Sequence, residues 1–236
     1  MSVSIVVPCY NEAAHIEKVV NDYYDEVLSK FDDGELIVVD DCSDDASAAI
    51  LAALKPHRPK LRILKTPVRC GHGLAIRIGY EAAREDWVFQ VDGDDVFDVK
   101  DFWKLYERRG HYDFVLGFRK RRTSPFERAA LSVAVRLVNY VFWGAWIRDA
   151  NCPFRLIRRD ILCDLLSHMS RKTIATNIFM SILSWKNQIR MTEVGAAYHQ
   201  QRGEKSSLTG LTLMKFSFAV FGQLLELRKT RGCTSA

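Results

Sequence analysis

The sequence predicts an α/β fold: one domain with a mostly parallel central sheet flanked by helices, and a more helical C-terminal region. Three observations carry that expectation. Short runs rich in β-branched and apolar residues alternate with amphipathic or Ala-rich stretches of helical length through residues 3 to about 118, the pattern of repeated strand-helix-strand units. Two of these runs stop abruptly at clusters of aspartate, as strands do when they deliver polar side chains to the carboxyl edge of a sheet. With 236 residues and 48% apolar content the chain can bury one large core, and neither an internal repeat nor a linker divides it. Residues 1–236 are therefore read as a single domain with an N-terminal half, 1–120, and a C-terminal half, 121–236.

The elements follow in order. Ser4 to Pro8 is a first strand, and Asn11 is a suitable N-cap for an amphipathic helix that begins with Glu12 and runs to about Leu28. Glu35 to Asp40 is a second strand ending in Asp40-Asp41-Cys42-Ser43-Asp44-Asp45, and an Ala-rich helix follows to about Leu54. Leu61 to Leu64 is a third strand. It leads to Gly71-His72-Gly73 and a helix through Ala83, where glycines that let a helix pack closely are preferred over a phosphate-cradling loop. Trp87 to Val91 is the fourth strand and Asp113 to Phe118 another. A long helix is expected from Pro125 to about Trp146, then a turn at Asp149-Ala150-Asn151-Cys152-Pro153 and a short strand from Phe154. A helix from Arg159 to His168, a segment around Thr173 to Trp185, an extended run from Ile189 to Gln200 and a final helix from Ser207 to Arg228 complete the reading.

Composition narrows the function. The amino terminus lacks the basic and apolar regions of a secretory signal, and no stretch reaches the roughly 18 uninterrupted apolar residues of a membrane span, so a cytoplasmic protein is expected. Six dispersed cysteines without a Cys-x-x-Cys pair argue against a structural zinc site and are read as free thiols. The net charge of +5 is concentrated at Arg119 to Arg122, Arg155 to Arg159 and Arg228 to Arg231. Phosphate-bearing substrates and an anionic lipid surface would use those charges as a nucleic acid would, and nucleic acid is not among the expected partners.

The most informative feature is Asp92-Gly93-Asp94-Asp95 at the end of the fourth strand. Carboxylates gathered in a short turn repel one another unless a cation lies between them. A hard cation such as Mg²⁺ keeps several waters and takes one or two carboxylates together with substrate phosphate oxygens, which points to a nucleoside diphosphate. Asp92 and Asp94 are the proposed metal ligands, with Mg²⁺ or Mn²⁺ as the cofactor.

Four stretches together resemble the family 2 glycosyltransferases of the Rossmann-like GT-A fold, and within them the polyprenyl-phosphate sugar synthases. They are Val6-Val7-Pro8-Cys9-Tyr10-Asn11-Glu12, Ile37-Val38-Val39-Asp40-Asp41-Cys42-Ser43-Asp44, the Gly71-x-Gly73-x-Ala75-x3-Gly79 loop and helix start, and Asp92-Gly93-Asp94. The resemblance covers residues 3 to about 120 and extends more loosely through Asp149 to Arg155 and Arg202 to Ser206. It implies a nucleotide-sugar-binding half, 1–120, with Pro8, Tyr10 and Glu12 lining the base and ribose pocket. Asp41 would hydrogen-bond the base, and Asp92 and Asp94 would hold the metal against the donor diphosphate, Asp94 more directly. Two departures stand out: Val96 where many relatives place Gln, and Cys42 where they place Gly. With Val96, coordination would draw on Asp95 or on extra water.

The resemblance further implies an inverting transfer onto a polyprenyl phosphate at the cytoplasmic face of a membrane. A phosphate monoester with a second pKa near 6 is largely dianionic at about pH 7, so it needs cations and no base. Arg119, Arg128, Arg202 and Lys205 are placed around the acceptor phosphate and donor diphosphate, the last two by the Arg-x-x-Lys-Ser pattern. Asp149 is the candidate base if the acceptor is a hydroxyl; equally, it anchors its loop. The apolar residues from Leu211 to Leu225, followed by Arg228, Lys229 and Arg231, fit an interfacial helix or a core-packed one, and the Val133 to Trp146 segment has the same two readings. Peripheral attachment would then draw on a membrane-protein partner or a homo-oligomer. Two alternatives stay open: a sugar-hydroxyl acceptor in surface-polysaccharide synthesis, and a nucleotide-binding subunit without turnover. A phosphatase that also uses Asp-x-Asp is set aside, because its motif lies on the first strand and continues into Thr.

Overall fold

The computed structural model describes residues 2–120, 140–199, 219, 220 and 222–224. Seven strands in these residues form one sheet: β1 (Val3–Cys9), β2 (Gly34–Asp40), β3 (Leu61–Lys65), β4 (Trp87–Gln90), β5 (Phe114–Lys120), β6 (Arg155–Arg158) and β7 (Met191–Ala197). Their spatial order is β3-β2-β1-β4-β6-β5-β7. β1 pairs in parallel with β2 and β4, β2 with β3, and β5 with β7, while β6 runs antiparallel between β4 and β5. Because β4 and β5 both oppose β6, the carboxyl ends of β1, β2, β4 and β5 lie at one edge.

Why the sheet is covered on both faces follows from β1, in which every residue is buried although successive side chains point to opposite faces. The flanking helices are α1 (Ile16–Glu26), α2 (Ser47–Leu54), α3 (His72–Ala82), α4 (Asp101–Tyr106), α5 (Arg159–Ser167) and α6 (Thr176–Lys186). Glycine brings α3 down: a Cβ on Gly79 would lie 2.3 Å from Val6 Cγ1 and 3.2 Å from Val39 Cγ2, so only a glycine lets that helix approach β1 and β2 so closely. Beyond β4 the core is aromatic, with Phe89 edge-on to Phe102 and Phe154 at centroid distances of 5.0 and 4.9 Å. Burying each such ring contributes about 1.5–3 kcal/mol.

Three expectations change. Asn11 is not an N-cap: it takes φ +57°, and α1 begins only at Ile16 after a turn through 13–15. The helix expected to reach Trp146 stops at Trp143, because Gly144 turns to φ +65° with its amide on Tyr140 O (2.8 Å), leaving Trp146 beyond it. Its expected start at Pro125 lies outside the described residues. In the terminal helix, only 219–220 and 222–224 are described, and they are helical. Val220 and Leu224 are buried in the core, and Gln223 accepts from the Ile174 amide (3.0 Å) and donates to Lys172 O (2.9 Å). Val220 and Leu224 thus give the described part of this helix a core-packed side. No helix among the described residues is long and apolar enough to cross a membrane.

Candidate active site

The ends of β1 and β2 are joined first. The Asp41 amide donates to Cys9 O (2.8 Å), so the residues after the two strands leave the sheet side by side. Their irregular backbone is then satisfied by short polar side chains. The Asn11 amide donates to Ser43 Oγ (3.1 Å), that of Glu12 to Ser47 Oγ (2.9 Å) and that of Ala13 to Asp45 (3.0 Å). Asn11 also exchanges side-chain hydrogen bonds with Asp44, giving to its carboxylate and receiving from its amide. This is why Asn11 does not cap α1: its amide group bridges two loops. Cys42 adopts φ +60°, the left-handed conformation that glycine enters freely.

Asp41 is buried, and its carboxylate accepts from Thr66 Oγ1 (3.0 Å), the Cys70 amide (2.8 Å) and the Gly71 amide (2.8 Å). Burial alone would raise its pKa. Hydrogen bonds from the Cys70 thiol, the two amides and Thr66 outweigh that and hold it below the usual carboxylate range. The same contact and burial push the Cys70 thiol up to about 12, and burial beside Asp40 does likewise for Cys9, so both thiols stay protonated. Every described cysteine is free. Tyr10, at the mouth of this loop, has the Arg69 guanidinium over its ring at 3.8 Å, a contact that the sequence reading missed.

The acidic turn lies next to these loops. The Cβ position of Gly93 is 3.3 Å from Pro8 O and 3.5 Å from Glu12 Cγ, which brings Pro8 and Glu12 against the Asp92–Asp94 turn. Gly93 is needed for that approach and not for the chain reversal, since the left-handed residue of the turn is Asp95 (φ +53°). Asp95, considered for extra coordination, pairs through Oδ1 with Lys18 of α1 at 2.8 Å. Val96 is buried in the core. Asp92 Oδ1 is buried and takes no hydrogen bond, and His72 Nε2, at the start of α3, stands 3.7 Å from it. Gly71, at φ +88°, starts α3, and its amide is already given to Asp41; Gly73 packs against the backbone of Thr173 and Ile174. Gly73 thus packs closely, while a Cβ on Gly71 would meet nothing within 4 Å.

Arg119, near the end of β5, faces the same edge. Its Nε lies 3.6 Å from Asp149 Oδ2, the two side chains being 16% and 18% exposed, and its guanidinium is 5.4 Å from the Tyr198 ring. Burial would lower its pKa, but Asp149, Cys152, Tyr198 and Asp92 together raise it, so the arginine remains charged. Arg128, Arg202 and Lys205 lie outside the described residues. The basic cluster at 155–159 does not form one phosphate-facing surface: Arg155 is fully buried, and Arg158 pairs with Asp113 and Asp160. A cavity of about 720 Å³ flanked by Trp143, Trp185 and Arg190 opens at the opposite end of the sheet, beside the starts of β5 and β7, and none of the expected site residues lines it.

This sheet order, with acidic turns gathered at the carboxyl ends of its parallel strands, is that of a single α/β domain of the GT-A kind. A family model described as glycosyl transferase family 2 matches residues 4–166, and the chain belongs to that family and is a glycosyltransferase. It is 24% identical over 245 residues to a dolichyl-phosphate β-glucosyltransferase of Trichomonas vaginalis, across 94% of this chain and 74% of the relative. It is 27% identical over 219 residues to an undecaprenyl-phosphate 4-deoxy-4-formamido-L-arabinose transferase of Pseudomonas aeruginosa, across 92% of this chain and 63% of that one. In fold it is similar to glucosyl-3-phosphoglycerate synthase from Mycobacterium tuberculosis, crystallised with Mn²⁺, UDP and glucosyl-3-phosphoglycerate, at a TM-score of 0.65 and 18% identity over 95% of this chain and 79% of the other.

Proposed function

We propose that the protein transfers a sugar, with inversion, from a UDP- or GDP-linked donor to a polyprenyl phosphate at a cytoplasmic membrane face, using a divalent cation. The observation that carries the acceptor assignment is the Arg119–Asp149 pair. Arg119 stays charged there, and an already dianionic phosphate needs a cation and no base. The activities of the two relatives, both on lipid phosphates, support the same assignment.

The chemistry of the acidic turn supports the cation. Asp92 Oδ1 is buried without a hydrogen bond, a costly state that a bound cation relieves. Among the described residues, no group of three or more His, Cys, Asp or Glu surrounds a point, which suits an ion completed by water and diphosphate oxygens rather than a closed protein cage. Mg²⁺ or Mn²⁺ on Asp92 and Asp94 would neutralise charge growing on the leaving nucleotide. Pro8, Tyr10 and Glu12 wall the nucleotide, and Asp41 turns its remaining lone pairs to the base. Arg119 orients the acceptor phosphate, with Arg128, Arg202 and Lys205 as further cations for it and for the diphosphate.

The test is a donor-by-acceptor screen with Mg²⁺ or Mn²⁺, UDP- and GDP-sugars, and polyprenyl phosphate in detergent. A metal-dependent lipid-phosphate sugar is expected, with turnover reduced at least about 100-fold by Asp94→Ala. Asp149→Asn should leave turnover within several-fold. Near-complete loss with retained donor binding would instead indicate a hydroxyl acceptor, and tight nucleotide binding without any product would indicate a silent subunit.

A further inference from the structure

The turn that carries Asp149 is held from beneath by a buried cation. Arg155, the first residue of β6, is fully excluded from solvent. Its Nε donates to Cys152 O (2.9 Å), Nη1 to Asn177 O (3.0 Å), and Nη2 to Ala150 O (3.2 Å) and again to Cys152 O. Among the described residues no carboxylate forms an ion pair with it. Burial lowers its pKa, while Tyr80, Cys152, Asp149 and Asp92 act in the other direction, so both acidic regions of the site lie within range of its charge.

A buried guanidinium without a paired anion is an expensive way to satisfy backbone oxygens. A hydroxyl does the same work at lower cost, as Ser181 Oγ does on Ala150 O (2.9 Å). What the guanidinium adds is a rigid fork of five donors. One planar group fixes two carbonyls of the 149–153 turn and one on α6. The turn is closed on itself, Cys152 N donating to Asp149 O (3.0 Å), so fixing 150 and 152 also fixes Asp149. α6 is in turn tied to the nucleotide side, because Thr176 Oγ1 donates to Gly73 O (2.8 Å), one residue after the His72 that faces Asp92.

We propose that Arg155 is a positioning residue for the transfer: it registers the Asp149 turn, and through it Arg119, against the donor-side loop without touching either substrate. This rests on the glycosyl-transfer reading given above. Donor binding uses the β1, β2 and β4 loops, whereas the described hydrogen bonds of the Arg155 side chain all go to the 150, 152 and 177 carbonyls, so its loss should separate acceptor-dependent transfer from donor handling.

The experiment measures three quantities in wild type, Arg155→Lys and Ser181→Ala: nucleotide affinity by titration, donor hydrolysis without acceptor, and transfer to polyprenyl phosphate. Lysine keeps the charge but cannot span three carbonyls. In Arg155→Lys, transfer kcat should fall about 100-fold, the scale of a misplacement of about 1 Å, with nucleotide affinity and hydrolysis within about threefold of wild type. Ser181→Ala, a smaller change to the same turn, should lower transfer several-fold and leave hydrolysis alone, and it carries the test if Arg155→Lys does not fold. Hydrolysis and transfer falling together, or an unchanged ratio of the two, overturns the positioning role. A wild-type protein that neither hydrolyses nor transfers any nucleotide sugar overturns the glycosyl-transfer reading itself.

Discussion

The two sides of the site solve one problem with opposite chemistry. Irregular backbone gathered at a sheet edge has amides and carbonyls that must be paired. On the β1–β2 side the exposed amides are paired by short acceptors: Asp40 takes Ser43 N, Asp41 takes Cys70 N and Gly71 N, Asp45 takes Ala13 N, and Ser43 and Ser47 take Asn11 N and Glu12 N. On the β5–β6 side the free carbonyls are paired by arginine: Arg155 takes 150, 152 and 177, and Arg77 takes Leu166 O and Met169 O. The same accounting thus leaves one side acidic and the other basic. An acidic side suits a cation with a diphosphate behind it, while on the other side these arginines are buried on carbonyls and Arg119, beside Asp149, is a cation left at the edge.

Gly73 lies where the two sides meet, and replacing it should break the comparison most severely. A Cβ there would stand 2.3 Å from Ile174 O and 3.0 Å from Thr173 O, against backbone that cannot rotate aside. Gly73→Ala should cost about 2–3 kcal/mol, the upper range for overpacking, and lower Tm by several degrees in a chain of this size. A thermal melt decides it; an unchanged midpoint would mean that the 173–174 segment does not press on α3.

A smaller effect isolates the acidic side. Asp41 has its pKa depressed on folding, so its contribution to stability is present above the unfolded carboxylate value, near 4, and is lost as pH falls through the lower folded value. Asp41→Asn turns an acceptor into a donor facing three donors and should cost about 1–2 kcal/mol at neutral pH. It should also flatten the acid limb of a stability–pH profile, though not abolish it, because Asp45 and Asp160 are depressed as well. An acid limb identical in variant and wild type would show that those hydrogen bonds do not form in solution.

The donor side was more legible in sequence than the acceptor side, for physical reasons. Strands buried on both faces appear as continuous β-branched runs, so β1, β2 and β4 and the aspartates ending β2 and β4 could be placed from pattern alone. The position of β6 could not: Arg155-Leu156-Ile157-Arg158 looks like a basic cluster, and nothing in a linear pattern says that Arg155 points inward while Arg158 reaches out to Asp113 and Asp160. Asn11 misled in the same way. A short amide before a helix satisfies a capping rule, yet the partner that claims it, Asp44, is 33 residues away. Local chemistry could be read; pairings between distant loops needed the fold.

The smallest effect has the opposite sign. Cys42 holds φ +60° between Asp41, whose carboxylate is held by the Cys70 and Gly71 amides, and Ser43, whose amide is held by Asp40, so neighbours on both sides impose the conformation. A non-glycine residue in the left-handed region is strained by about 1 kcal/mol, of which glycine returns part through the larger entropy of its unfolded chain. Cys42→Gly should therefore stabilise the protein by about 0.5 kcal/mol, a Tm rise of roughly 1–2 °C, with nucleotide affinity unchanged because the backbone path is the same. The sign is the informative part. A stabilised, equally active variant would show that the cysteine is a tolerated departure on an unchanged family backbone. A destabilised one would show that the Cys42 side chain makes a contribution larger than the strain it imposes.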